Sequence, residues 1–189
     1  MKHFTIYNKR TATPEAGNLL NAVGDSVGFV PNIFGIIAES TPGLQGFVEL
    51  NNQFAKSTFG ATEREIIQTA VSVENQCTYC VAGHTAFAHR QNVPAEIIEA
   101  IRNNQPINNI RLEALNQFTR ALVRSKGMIP SKVLEDFLAA DYTHAQVIEV
   151  ILGICVKTFS NLTNNTIGVP LDDEFSPYEW QPIDTSKAA

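Results

Sequence analysis

Cys77-Thr78-Tyr79-Cys80-Val81-Ala82-Gly83-His84 lies inside a long stretch whose apolar residues recur at helical steps, and its reading decides the fold. At about 100° per residue, the offsets bring Cys77, Cys80 and His84 within roughly 60° of arc on one helix face. Two thiols in adjacent turns can close a disulfide, and an imidazole one turn beyond Cys80 can take or return a proton. The thiolate is the reactive form, and a nearby base or a helix N-terminus makes it easier to form. The motif therefore points to redox chemistry carried on a helix.

The same period runs outward in both directions. Ile66, Ile67, Ala70 and Val73 precede the motif; Leu112, Leu115, Phe118 and Leu122, then Val147, Val150, Ile151 and Ile154, follow it. Pro14, Pro42, Pro94, Pro31 and Pro130 sit where a first helical turn tolerates proline. Thr62 with Glu65, and Thr143 with Gln146, fit the capping-box spacing. Helices are expected over 14–27, 31–40, 42–57, 62–74, 77–91, 94–103, 109–126, 130–140 and 143–165. Strand-like alternation bounded by turns is nearly absent. The expectation is one all-α domain over residues 1–189, with a motif region at 61–98 and a tail at 166–189. The asparagine-rich loop at 103–109 is a candidate hinge between two helical halves.

Composition narrows the partners. The 189 residues are 44% hydrophobic and 17% charged, globular values for a chain long enough to bury a core. A net charge of -5 leaves no basic field, so neither nucleic acid nor an anionic membrane is expected as a partner. The start, Met1-Lys2-His3-Phe4-Thr5-Ile6-Tyr7, lacks the apolar run of a signal peptide, and no uninterrupted apolar run reaches the length of a membrane span. A cytoplasmic location is expected. Three cysteines in a reducing compartment do not make a disulfide scaffold; a Cys-x-x-Cys there is catalytic or metal-binding.

Glu65 precedes Cys77 by twelve residues, on the preceding helix. Glu65, then Cys77-Thr78-Tyr79-Cys80, then His84 resembles the Glu…Cys-x-x-Cys-x-x-x-His signature of the AhpD-like alkylhydroperoxidase / carboxymuconolactone decarboxylase superfamily, in its peroxidase-related branch. The flanking Ala61-Thr62-Glu63-Arg64 and Gln91-Asn92-Val93-Pro94-Ala95-Glu96-Ile97 agree with it. The resemblance implies an AhpD-like helical fold with the Cys-x-x-Cys at a helix N-terminus. It implies a thiol-dependent peroxidase or disulfide oxidoreductase in which Cys80 attacks, Cys77 resolves, and Glu65 and His84 relay protons. It further implies a peroxide or disulfide substrate, an external dithiol reductant, no cofactor and a homo-oligomer. One departure stands out. Where well-known peroxidase members carry a second histidine before the second cysteine, this chain has Tyr79, a neutral phenol that lends no positive charge.

Other readings share these residues. A thioredoxin-type enzyme needs a βαβ setting, which is missing. A structural zinc site would use Cys77, Cys80 and His84 but wants a fourth ligand, and none is visible. A thiol redox sensor or adaptor, and a carboxymuconolactone-decarboxylase-type lyase, stay open. Glu65 reads either as a relay carboxylate or as the capping partner of Thr62. His3, His89 and His144 read as structural or solvated, and Cys155 as an inert buried thiol. Phe29, Phe34, Phe47, Phe54 and Phe59 read as core, with one or two of them lining a substrate pocket. Tyr79 could bond near the thiols or cover them, and Trp180 could pin the tail to the body or to a neighbouring subunit.

Overall fold

The computed structural model describes residues 4–183. Among them are nine α-helices, one short 3-10 turn and no strand. The helices are α1 (Pro14–Val27), α2 (Asn32–Ile37), α3 (Thr41–Ala55), α4 (Ala61–Glu74), α5 (Thr78–Arg90), α6 (Ala95–Arg102), α7 (Ile110–Ser125), α8 (Ser131–Ala139) and α9 (His144–Ile167). Each lies within a few residues of its expected span. Pro14 and Pro42 do occupy first turns, whereas Pro31, Pro94 and Pro130 stand one residue earlier, as N-caps.

The layout turns on α4. It packs against α5, α6, α7 and α9, and every residue from Glu65 to Val73 is buried. A helix covered on all sides must find partners for its polar side chains. Gln68 donates to the Gly153 carbonyl at 3.2 Å, and Ser72 donates to the Gln68 carbonyl at 2.7 Å. Gly153 lets α9 come this close: a Cβ there would stand 2.7 Å from Phe54 Cε2 and 2.9 Å from Ile67 Cγ2. One hydrophobic cluster takes side chains from all nine helices.

Several expectations are corrected. The 103–109 loop is no hinge between separate halves, because Arg120 from α7 donates to Asn104 Oδ1 at 2.8 Å and to the Ile101 carbonyl at 2.9 Å. Cys155 is exposed rather than buried, since it falls on the outer face of α9 with Ile148 and Leu162. Among the described residues α9, with 24 residues, is long and apolar enough to cross a membrane, its most apolar stretch reaching a mean hydropathy of 1.4. The expectation that no apolar run is uninterrupted over such a length stands. The inner face of α9 instead packs on α2, α3, α4, α5 and α7 and buries Lys157, Asn161 and Asn164. His144 and His89 are exposed, and His3 lies outside the described residues.

Residues 168–183 double back across α5. Trp180 pins them to the body, its Nε1 donating to the Arg102 carbonyl at 3.1 Å, while Arg102 donates to the carbonyls of Tyr178 and Glu179. Phe175 seats on Gly83, where a Cβ would stand only 3.1 Å from its ring. The expected tail from 166 onward is thus a strap as far as residue 183, and residues 184–189 lie outside the description.

Candidate active site

The thiols are placed by the corner between α4 and α5. α4 ends in a Schellman arrangement: Cys77 N–H donates to the Ser72 carbonyl at 2.9 Å and Gln76 N–H to the Val73 carbonyl at 3.0 Å. Gln76 adopts the left-handed backbone that this motif requires, with φ 52°. A residue with a Cβ there is strained, at about 1 kcal/mol. The reversal makes Cys77 the N-cap of α5 and puts Cys80 in its first turn. Both thiols are buried and free. The N-terminal end of a helix dipole favours a thiolate.

Glu65 faces inward and is not the capping partner of Thr62. The cap of α4 is built two residues earlier than expected. Gly60 is the N-cap and its N–H donates to Glu63 Oε2 at 2.9 Å, so Thr62 is not the capping residue. Glu65 is released to accept from His84 Nδ1 at 2.8 Å and from Gln91 Nε2 at 2.7 Å. With Nδ1–H facing the carboxylate, His84 presents a lone pair at Nε2, and Lys157 Nζ donates to it at 2.8 Å. Both imidazole nitrogens are therefore engaged, and neither is left to bind a metal. Burial and the Lys157 charge hold the His84 pKa below its usual value against the opposing pull of Glu65, so the ring is neutral at pH 7.

Lys157 escaped the sequence reading. It sits in α9, far along the chain and with no motif to mark it, and only the packing of α9 on α4 and α5 delivers it to the site. It supplies the positive charge that Tyr79 does not. Burial alone would push the Cys80 thiol up, but the Cys77 S–H, Lys157, His84 and Asn161 outweigh it and bring its pKa down to about 5. Cys77 moves the opposite way, held well above the usual thiol range by its hydrogen bond to Cys80 and by burial. One thiolate shared across the pair, carried by Cys80, is the stable arrangement. Ser160, one turn after Lys157, places its Oγ 3.9 Å from Cys80 Sγ.

Tyr79 lines the same cavity as Cys80, but its hydroxyl is turned elsewhere. Its hydroxyl donates to Asp172 Oδ2 at 2.5 Å and accepts from the Ile33 N–H at 3.3 Å, while Asp172 also accepts from the Asn32 N–H at 3.0 Å. The phenol thereby ties α5, α2 and the C-terminal strap together. Burial raises the Asp172 carboxyl pKa, and the Tyr79 hydrogen bond opposes the rise.

Cys80 opens onto a cavity of about 370 Å³. Ile33, Phe34, Phe47, Phe87 and Phe175 form its apolar walls, and Glu65, His84, Gln91, Lys157 and Ser160 gather at the sulfur end. Phe34 and Phe47 are thus the aromatic pair that lines the pocket, as expected for one or two of the early phenylalanines, and their rings meet at 5.0 Å. A larger depression of about 480 Å³ between residues 8–10 and α1 holds no sulfur and no part of this cluster.

Residues 44–127 match the carboxymuconolactone decarboxylase family. No curated protein matches the sequence significantly. The fold is similar to that of an alkylhydroperoxidase AhpD core structure, an uncharacterised peroxidase-related protein from Ralstonia eutropha JMP134. That likeness has a TM-score of 0.81 at 22% identity, covering 93% of this chain and 96% of that one. A peroxidase-related protein from Silicibacter sp. TM1040 is similar with a TM-score of 0.77 at 19% identity, covering 93% and 96%. The debrominase Bmp8 in its apo form is similar with a TM-score of 0.76 at 18% identity, covering 87% and 90%. The resemblance carried by Glu65, Cys77, Cys80 and His84 to the AhpD-like carboxymuconolactone decarboxylase superfamily is borne out.

Proposed function

From an AhpD-like fold whose carboxymuconolactone decarboxylase segment spans the thiol helix, we propose that this protein is an enzyme: a thiol-dependent peroxidase or disulfide oxidoreductase cycling a Cys77–Cys80 disulfide. One observation carries the reading. Cys80, its pKa lowered to about 5, faces the cavity while a neutral partner thiol waits at the N-cap of the same helix. The Cys80 thiolate attacks one peroxide oxygen, the O–O bond breaks, and Cys80 becomes a sulfenic acid. Cys77 then attacks that sulfur and expels water, closing the disulfide before overoxidation. Glu65 holds His84 in the Nδ1–H tautomer as the inner part of a proton relay. An external dithiol reopens the disulfide by exchange, and the thiol cycle itself calls for no cofactor. The aromatic walls favour an organic peroxide or disulfide over hydrogen peroxide, which would leave them in contact with water.

We place the protein in the cytoplasm, as a single domain and a homo-oligomer. The shared hydrophobic cluster supports the first of these structural readings, and the exposed apolar side chains Ile148, Ile151 and Leu162 on α9 support the second. Peroxide consumption with several dithiol donors tests the function. Cys80→Ser abolishes turnover, and Cys77→Ser allows a single oxidation and then stalls. A redox sensor would show little turnover but an oligomeric state that changes on oxidation. Two variants as active as the wild type would remove the thiol pair from the mechanism.

A further inference from the structure

Lysine is almost never fully buried unless it is paired, yet Lys157 is 6% exposed. Its Nζ donates to His84 Nε2 at 2.8 Å, and among the described residues it forms no ion pair with a carboxylate. An ammonium has three N–H bonds to place, and the imidazole takes one. Lys157 shares a cavity wall with Cys80. Leaving such a cation desolvated and unpaired is costly, so an anion is required beside it. The titratable groups around it are Glu65 from α4, Tyr79, Cys80 and His84 from α5, and Cys77 at the N-cap of that helix. Tyr79 keeps its hydroxyl hydrogen and donates it to Asp172. Glu65 is turned to the far nitrogen of His84, and Cys77 is the neutral member of the thiol pair. Cys80 remains.

The imidazole cannot complete the relay alone. Its one N–H points at Glu65, and its lone pair is occupied by Lys157, so it has no proton to offer toward the sulfur. We propose that Lys157, rather than His84, is the terminal acid–base group of this site: counter-ion to the Cys80 thiolate and donor of the proton that the departing oxygen takes. This rests on the thiol-peroxidase reading above. The sulfur–oxygen bond forms as the O–O bond breaks, and the electron pair leaves on the alkoxide. A Lys157 Nζ–H protonates that alkoxide to an alcohol, leaving a neutral amine. The Cys77 thiol then displaces the sulfenic oxygen as water, whose second hydrogen is the Cys77 proton. The disulfide state thus holds an uncharged Lys157 and no thiolate to pair with it. When the dithiol reduces the pair, one proton stays on Cys77 and the other returns to the amine.

Lys157→Met and Lys157→Arg separate the two roles, because arginine keeps the charge but cannot give up a proton. The first readout is the pH dependence of Cys80 alkylation by iodoacetamide. Its midpoint is expected to rise by about one to three pH units in Lys157→Met and to stay low in Lys157→Arg, the size of a neighbouring opposite charge. The second is the single-turnover rate with an alkyl hydroperoxide, whose alkoxide needs a proton, against a peracid, whose carboxylate does not. Both variants should lose on the order of 10²-fold more rate with the alkyl hydroperoxide than with the peracid. An unmoved alkylation midpoint in Lys157→Met overturns the counter-ion role, and equal losses on both oxidants overturn proton delivery. Wild-type protein inert to both oxidants overturns proton delivery together with the peroxidase reading, while the alkylation arm still decides the counter-ion on its own. Should Lys157→Met fail to fold, Lys157→Arg carries the comparison of oxidants.

Discussion

Cys80→Ser replaces a sulfur that titrates with a hydroxyl of similar shape that stays neutral, so the pair of proteins measures how far the fold favours the thiolate. The Cys80 pKa falls from an ordinary 9.0 in the unfolded chain to about 5 in the fold. A depressed folded pKa adds stability that is complete above the unfolded value and is lost as pH falls through the folded one. The contribution therefore grows from about pH 5 toward pH 9, at about 1.4 kcal/mol per pH unit between them. From pH 5.5 to 7.5 that amounts to about 2–3 kcal/mol, or roughly 5–10 °C in Tm for a chain of this length. His84, its pKa lowered by burial and by Lys157, also costs stability on acidification, but it does so in both proteins. Cys77 opposes only above its ordinary range and stays out of an experiment kept below pH 8.5. The assay is thermal and urea unfolding of wild type and Cys80→Ser from pH 5 to 8, under a reductant that keeps the thiols open. The stability advantage of the wild type should widen steadily with pH. A flat advantage has two sources, an absent thiolate or a Lys157 that sheds its proton in Cys80→Ser. The pH midpoint of Cys80 alkylation in the wild type separates them: a midpoint at the ordinary thiol value would refute the thiolate and, with it, the electrostatic account of the site.

Two further outcomes test the frame around the sulfur. Tyr79→Phe removes the hydroxyl that Asp172 and Ile33 share, so urea unfolding should show a loss of about 1–3 kcal/mol. The pH midpoint of Cys80 alkylation should stay put; a shifted midpoint would show that the phenol acts on the thiols after all. Gly153→Ala drives a Cβ to 2.7 Å from Phe54 Cε2, and the overpacking should cost about 1–3 kcal/mol in spite of the better helix propensity. Since α9 also carries Lys157, the same substitution should slow Cys80 alkylation, and an unchanged Tm would mean that α9 is free to shift outward.

The helices were legible in the sequence because helix formation is largely local. Apolar side chains spaced by one turn, prolines at helix starts and the Thr143–Gln146 box act within a few residues, and the box closes as its spacing implies, with Gln146 N–H donating to Thr143 Oγ1 at 3.2 Å. Cys77, Cys80 and His84 were visible for the same reason, since one corner and one helix hold all three. Glu65 was legible only as an ambiguity, because a cap partner and a relay carboxylate share the same spacing. The inward aim came with Gly60 and Glu63 taking the cap and α5 covering that face of α4. Cys155 illustrates the converse: an apolar run marks a helix, but which side of it meets solvent depends on what packs there. Lys157 and Asp172 had no signal at all. They meet His84 and Tyr79 across 73 and 93 residues of chain, and no periodicity records which distant helix face will close a site. What the sequence determined by itself was the helices and the thiol pair. What the tertiary structure decided was the charge set beside one of those thiols, because electrostatic partners are chosen by distance in space, and packing alone sets that distance.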